Sequence, residues 1–314
     1  MDSTTTIDVI ALLSACVHLG AFAGQAIRDV VASNESLGIV NKADGSVVAF
    51  DPQTIADTRA QQRIVESLRR HFGPGLVIVG EEGQLDPPAA EDILHYPSTD
   101  LLAFPRTPVE LNQNLVVWID PLDGTRKFTE KVYDDVSVLV GISYQGRPLA
   151  GVMHQPFAGP FGTTYFGGPA VNGVFQCQLS SDAPSTWNFS QLQTPQPPSR
   201  PKQIVGVSES PCQFVDRILP SLDMQIVAKG STGRLLLDVV LGEVDVYYRY
   251  VNRTKRWDTC VGEAFLSVFG GRLTDRFGQL YDYNAATNHD NVNGVVAALD
   301  PALLAVVVEK THLE

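Results

Sequence analysis

The sequence predicts a layered α/β (α+β) protein, and three observations lead there. Helix-period segments open the chain, short apolar runs of strand length follow, and strands alternate with helices after a Pro-rich stretch. With 314 residues, 44% hydrophobic content and mean hydropathy near zero, the chain carries enough apolar material for one large domain or two packed halves. We expect an N-terminal α+β half over residues 1–179, a linker over 180–201, and a C-terminal α/β half over 202–314. No internal repeat is visible.

The first helix is expected over 6–32, ending before Asn34. Its apolar stretch Val9–Ala23 lacks a basic flank and falls short of a bilayer-spanning length, so it reads as a core helix. A second helix begins near Thr54; Ala60, Ile64, Leu68 and Phe72 recur at i+4, with Val65 alongside, and Gly73 stops it. Leu76–Val79 is a short strand delivering Gly80-Glu81-Glu82-Gly83. Residues 84–113, rich in Pro, Asp, Ala and Asn, read as a long excursion with one helical turn, of a length usual for a lid or a disordered insert. Val116–Ile119 is a buried strand, and Pro121 should end it. Val136–Tyr144 and Pro148–His154 form a hairpin around Gln145-Gly146-Arg147, and short strands fill 162–178. Five prolines mark 180–201 as the linker. Beyond it, strands are expected at 203–208, 225–228 and 244–250, and helices at 211–220, 232–241 and 258–269.

Composition narrows function. A formal charge of −12 argues against nucleic acid and anionic membrane as partners. A phosphate substrate would then need bound metal ions to reverse the local sign. Cys16, Cys177, Cys212 and Cys260 are far apart, which suits free thiols in a reducing, cytoplasmic compartment. The six histidines are scattered without zinc spacing.

The chemistry concentrates in Asp120-Pro121-Leu122-Asp123-Gly124-Thr125. Two carboxylates at a strand tip repel each other unless a cation lies between them, and hard divalent ions such as Mg²⁺ take such oxygen ligands. Gly124 admits close backbone approach, and its amide and that of Thr125 are anion donors. Taken alone, each acid has a bland reading. Asp120 and Asp123 read as an acidic turn, Glu81 as a solvated loop, Asp258 as an N-cap before Val261, Ala264 and Phe265, and Asp57 as a helix-dipole partner. Their combination carries the functional case, because neighbouring strand tips present their loops on one edge.

The combination resembles the magnesium-dependent, lithium-sensitive phosphatases of the inositol monophosphatase superfamily. It pairs Asp120-Pro121-Leu122-Asp123-Gly124-Thr125 with the upstream Gly80-Glu81-Glu82, the downstream Trp257-Asp258 and the segment ending at Asp57. Within that superfamily, 123–130 (Asp-Gly-Thr-Arg-Lys-Phe-Thr-Glu), Gly151-Val152 through Gln155-Pro156, and Trp257-Asp258-Thr259-Cys260 with Glu263 are most similar to the 3′(2′),5′-bisphosphate nucleotidases. The resemblance implies a layered αβαβα sandwich of the inositol monophosphatase and sugar phosphatase type. It implies that Glu81, Asp120 and the Leu122 carbonyl hold one Mg²⁺, and that Asp120, Asp123 and Asp258 hold a second. Asp57 and Thr125 would hold and deprotonate the attacking water, with a third, weaker ion there.

The implied activity is release of the 3′-phosphate of adenosine 3′,5′-bisphosphate, inhibited by Li⁺, by a monomer or homodimer acting on a small-molecule phosphate. Inositol polyphosphate 1-phosphatase or inositol monophosphatase activity is the alternative. Gly124, Thr125, Ser208, Gly230, Ser231 and Arg234 are the candidate substrate contacts. The chain departs from the nucleotidases at Ser208-Glu209-Ser210-Pro211, where they carry Thr-x-Ser-His. It departs again at Leu235, where they carry a lysine; Arg234 stands beside it.

Three other readings are weaker. The haloacid-dehalogenase loop spaces its acids by two, not three. The EF-hand loop needs alternating acids that 120–131 lacks. An inactive metal- or phosphate-binding relative should have lost site acids, and all five remain.

Overall fold

The computed structural model describes residues 5–33, 36–42, 50–95, 101, 104–179, 187–195, 200–209, 219–251 and 253–312. Strand β1 (Thr6–Asp8) leads into helix α1 (Val9–Ser33). A two-stranded hairpin, β2 (Val40–Asn41) and β3 (Pro52–Gln53), precedes α2 (Ile55–Phe72), β4 (Val77–Gly80) and β5 (Pro108–Glu110). Then come β6 (Leu115–Asp123), α3 (Thr125–Thr129), β7 (Ser137–Tyr144), β8 (Arg147–Gln155), β9 (Thr163–Gly168), β10 (Gly173–Leu179) and β11 (Trp187–Gln191). The last third holds β12 (Ile204–Ser208), β13 (Gln225–Lys229), α4 (Thr232–Val240), β14 (Val246–Arg249) and α5 (Arg256–Val268). It closes with β15 (Arg272–Thr274), β16 (Val295–Ala298) and α6 (Pro301–Thr311).

These elements stack in five layers. A seven-stranded sheet runs β11-β10-β9-β8-β7-β6-β4, and a five-stranded sheet runs β13-β12-β14-β16-β15. Val117 and Ile119 of β6 pack with α1 and α2 on one face, while Val116 and Trp118 pack with α4 and α5 on the other. Burial on both faces explains why β6 is a continuous apolar run rather than an alternating one. Beyond the second sheet, Leu304 and Val307 of α6 cover Val205, Val246 and Val296. The order α, β, α, β, α is the expected sandwich.

Several expectations need correction. Strand β6 does not stop at Pro121; it continues to Asp123 through a register shift between Asp120 and Asp123 against β7. A bulge is where a sheet tolerates a residue without an N–H. Residues 187–191, read as linker, form β11 and pair antiparallel with β10, so the linker expectation fails there. Within 84–113, Pro108–Glu110 pairs with β1. The helix expected over 211–220 falls mostly outside the described residues, as do Cys212, Ser210 and Pro211; Leu219–Leu222 is a 3₁₀ turn. At 25 residues α1 is long and apolar enough to cross a membrane, contrary to the sequence reading, yet 78% of its apolar window is buried inside the fold. Cys16, Cys177 and Cys260 are buried.

Helix α1 lies against β8 through its glycines. A Cβ on Gly24 would sit 2.4 Å from the His154 ring, so only glycine lets the helix approach this closely. His154 is 1% exposed, its Nδ1 lies 2.8 Å from Thr164 Oγ1, and its Nε2 has no hydrogen-bond partner among the described residues. Burial, aided by the Arg28 charge, lowers its pKa to about 3. A native pKa below the unfolded value means that the unfolded chain gains a proton first as pH falls. The stability difference between wild type and His154→Asn should therefore shift against wild type by about 1.4 kcal/mol per pH unit between pH 6 and 4. Urea unfolding of both proteins across that range checks this; parallel profiles would contradict it.

Candidate active site

Parallel pairing sets Gly80 of β4 opposite Ile119 of β6, and Glu81 N–H donates to the Ile119 carbonyl at 3.0 Å. Glu81 and Asp120 therefore leave adjacent strand tips side by side, as the sequence requires. The β6 bulge turns the chain so that Asp123 joins them. Its carboxylate accepts from Gly233 N–H at 2.7 Å and from Ser137 Oγ at 3.3 Å. Asp258 arrives from the opposite side on α5. It is not the N-cap but the third helical residue, and its Oδ2 accepts from Lys255 N–H at 2.7 Å. Asp57 holds the same position in α2: its Oδ2 accepts Thr54 N–H at 2.8 Å and the Thr54 hydroxyl, closing a capping box. Two of the site acids thus also start the helices that carry them.

Electrostatics follow from this crowding. Asp57, Asp120 and Asp123 are buried. Burial, then the charges of Glu81, Asp123 and Asp258, raises Asp120 well above the usual carboxylate range. Asp258 rises to about 8 by burial and the Glu81 charge, and it shares a hydrogen bond with Asp120. Asp123 rises only to about 6, because Ser231, Gly233 and Ser137 donate to it. Asp57 rises to about 6 by burial, offset by Thr54. Buried like charges of this kind are stable only when protonated or matched by a cation. The donor set is all oxygen: the carboxylates and the Leu122 carbonyl, which accepts Thr125 Oγ1 at 2.9 Å. That set suits a hard divalent cation. Among the described residues no three acid, His or Cys side chains are already turned onto one point. Asp120 faces Asp258, and Glu81 faces Lys42 at 2.9 Å.

The remaining candidates separate into two groups. Gly124 takes φ +88°, and a Cβ there would lie 2.8 Å from the Asp135 carbonyl. Thr125 Oγ1 donates to Asp57 Oδ1 at 3.0 Å, which sets the two side chains together. Ser231 caps α4 and donates to Asp123, and Gly230 N–H donates to Asp135 Oδ2 at 3.0 Å. Thr125 and Ser231 thus bond site acids directly, and Gly124 and Gly230 lie against Asp135 beside them. Ser208 ends β12 in register with Lys229. Arg234 is held by a different acid: its Nε donates to the buried Asp238 at 2.9 Å, and it lines a cavity of about 300 Å³ with Lys229, Tyr133, Asp135 and Gln155.

Sequence reasoning missed two cations and a glutamine. Lys42 bridges Glu81 and Glu82. Gln61, buried in α2, accepts Glu82 N–H at 3.0 Å and donates to the Gly83 carbonyl at 2.8 Å, which fixes the Glu-Glu turn. Arg249 ends β14 only 9% exposed, with no partner for its Nε among the described residues. It lies on the same strand face as Tyr247, whose hydroxyl is 3.5 Å from Thr232 Oγ1 at the start of α4. A lone arginine inside the apolar run 244–251 was the available signal.

A five-layer sandwich that brings acids from two neighbouring strands of one sheet and from two helix starts to one edge, beside a Thr–Asp pair, is the frame of a phosphatase. The chain belongs to the inositol monophosphatase family, whose model matches residues 9–312. The 3′(2′),5′-bisphosphate nucleotidase 1 of Mus musculus is 34% identical over 317 residues, covering 95% of this chain and 94% of the relative. The Homo sapiens protein of the same name is 32% identical over 312 residues, with 95% and 94% covered. The fold matches an inositol monophosphatase from Zymomonas mobilis at a TM-score of 0.64 and 19% identity, over 96% of this chain and 97% of that one. The enzyme is a phosphoric monoester hydrolase.

Gly233 tests the geometry. A Cβ there would meet Asp123 Oδ2 at 2.6 Å and Ser137 Oγ at 2.8 Å. Gly233→Ala should cost about 1–3 kcal/mol by overpacking and lower phosphate release at least tenfold by displacing Asp123. Urea unfolding and a phosphate-release assay check this; full activity would contradict it.

Proposed function

We propose that the enzyme is a Mg²⁺-dependent phosphomonoesterase that removes the 3′-phosphate of adenosine 3′,5′-bisphosphate, giving AMP and phosphate. The observation that carries the metal dependence is the fully buried Asp120 flanked by Glu81, Asp123 and Asp258. Members of the family are generally magnesium-dependent and lithium-sensitive, and the named nucleotidase relatives support the substrate. Glu81, Asp120 and the Leu122 carbonyl would hold one ion, and Asp120, Asp123 and Asp258 a second, with a third beside Asp57. Bound there, Mg²⁺ supplies charge neutralisation for the phosphoryl oxygens and lowers the pKa of water.

The chain's own residues do the rest. Thr125 and Asp57 hold the attacking water, and Asp57 takes its proton; a pKa near 6 leaves this carboxylate ionised at neutral pH. The amides of Gly124 and Thr125, at the turn after β6, cradle phosphate oxygens. Ser231 caps α4, whose first turn adds a positive dipole end facing the same space. The buried Arg249 guanidinium on the Tyr247 face supports a substrate with a second anionic group, because its Nε has no hydrogen-bond partner among the described residues and a buried cation favours an anion beside it. Buried thiols and a packed α1 support a cytoplasmic enzyme.

Asp120→Asn separates stability from function. An uncharged isostere relieves repulsion, so the variant should unfold at the same or higher temperature while losing phosphate release by at least 10³-fold. Loss of fold, or near-wild-type turnover, would sink the mechanism. Mg²⁺ should raise the melting temperature of wild type, more at pH 8 than at pH 6 because protons compete for the same carboxylates, and should not move Asp120→Asn. Phosphate release with adenosine 3′,5′-bisphosphate, inositol 1,4-bisphosphate, inositol 1-phosphate and fructose 1,6-bisphosphate ranks the substrates. A higher kcat/KM for an inositol phosphate would replace the nucleotide reading with the inositol one.

A further inference from the structure

The second glutamate of Gly80-Glu81-Glu82 has no part in the proposed chemistry, yet its side chain is only 1% exposed. Its partner is Lys42, the residue after β2. The Lys42 ammonium donates to Glu81 Oε1 at 2.9 Å and to Glu82 Oε1 at 3.0 Å. Among the described residues no other Lys, Arg or His is paired with Asp57, Glu81, Glu82, Asp120, Asp123 or Asp258. One flexible cation therefore serves a cluster of six carboxylates. The Lys42 backbone is anchored, since its N–H donates to the Asp51 carbonyl at 2.7 Å and Asp51 N–H donates to Asn41 Oδ1 at 2.8 Å. The hairpin that carries Lys42 runs through β3 directly into Thr54, the residue that caps Asp57.

Lysine suits an exchangeable contact. Its ammonium is a compact charge with three donors on a four-carbon stem, so it can leave one carboxylate and stay on another. A divalent cation at Glu81 needs the same oxygen lone pairs and repels the ammonium. Glu82 offers the ammonium a place to stay, because the Gln61 side chain holds the Glu82 backbone whichever carboxylate Lys42 grips. That gives the buried second glutamate a purpose.

We infer that Lys42 is a built-in competitor for the metal site: its ammonium is shared between Glu81 and Glu82, yields the Glu81 oxygen to a divalent cation and remains on Glu82. Lys42 is thus a positioning residue that sets how tightly the Glu81 side of the site holds metal. The inference rests on the reading of Glu81 as a metal ligand under the proposed function.

Calorimetric titration of the full chain with Mg²⁺, and with Mn²⁺ as a tighter probe, tests it without reference to turnover. Lys42→Met should bind the first ion at least fivefold more tightly than wild type, and Lys42→Arg should stay within about twofold. A contact between neighbours is screened less than a distant field, so the gain should persist in about 0.5 M KCl. Because Lys42→Met leaves Glu82 buried and unpaired, the pair Glu82→Gln and Lys42→Met/Glu82→Gln repeats the comparison without that burden. Removing Lys42 should tighten binding in both backgrounds. Unchanged or weaker binding, or a gain abolished by salt, overturns the role of Lys42 while wild-type uptake leaves the metal reading standing. No uptake of either ion by wild type overturns both.

Discussion

Like charges held close in a buried place are the constraint on which this molecule depends. Asp120, Asp123 and Asp57 lie inside the protein, with Asp258 and Glu81 against them. Water does not screen them there, so each must be stabilised by something the fold supplies. The supply is backbone. Gly233 N–H serves Asp123, Lys255 N–H serves Asp258, Thr54 N–H serves Asp57 and Leu122 N–H serves Asp120. Three of those donors belong to helix starts, so the starts of α2, α4 and α5 must all point at the ends of β4 and β6. The five-layer stack is the arrangement that does this, with α4 and α5 packed between the two sheets.

The same constraint divides two tasks among the acids. Asp123 receives three protein hydrogen bonds that offset its burial, whereas Asp120, buried against the charges of its neighbours and bonded to another acid, is raised well above the usual carboxylate range. Asp120 is therefore the carboxylate with most to gain from a cation, which agrees with its place in both proposed ion sites. Asp57, tied to Thr54 and Thr125 while feeling the Glu81 charge, is the acid to which the proposed chemistry gives the proton.

Much of this was legible in the sequence because β6 is short of polar residues until Asp120 and because its spacing to Glu81 and Asp258 follows a family pattern. The five layers, the strand-tip placement and the Thr125–Asp57 pair all follow from that. The bulge at Pro121 did not, since a proline reads equally as a strand end or as an irregularity, and only the pairing with β7 decides. Strand β11 was hidden by the prolines around it; Trp187, buried beside His18, was the sign of an edge strand in that stretch. Strands β15 and β16 and helix α6 also went unread, although Asp300 before Pro301 marks a helix start. Arg234 shows the limit of position matching. One helix residue away from the family lysine, it is drawn to Asp238, a partner the sequence pattern does not reveal.

The central claim is that these carboxylates close around divalent cations with Asp120 shared between two of them. Anomalous diffraction from crystals grown with Mn²⁺ tests it most directly. At least two anomalous peaks are expected, each within about 2.0–2.4 Å of an Asp120 oxygen, one also contacting Glu81 and the other Asp123 and Asp258. Peaks elsewhere on the surface, or none at Asp120 in a saturated crystal, would contradict it.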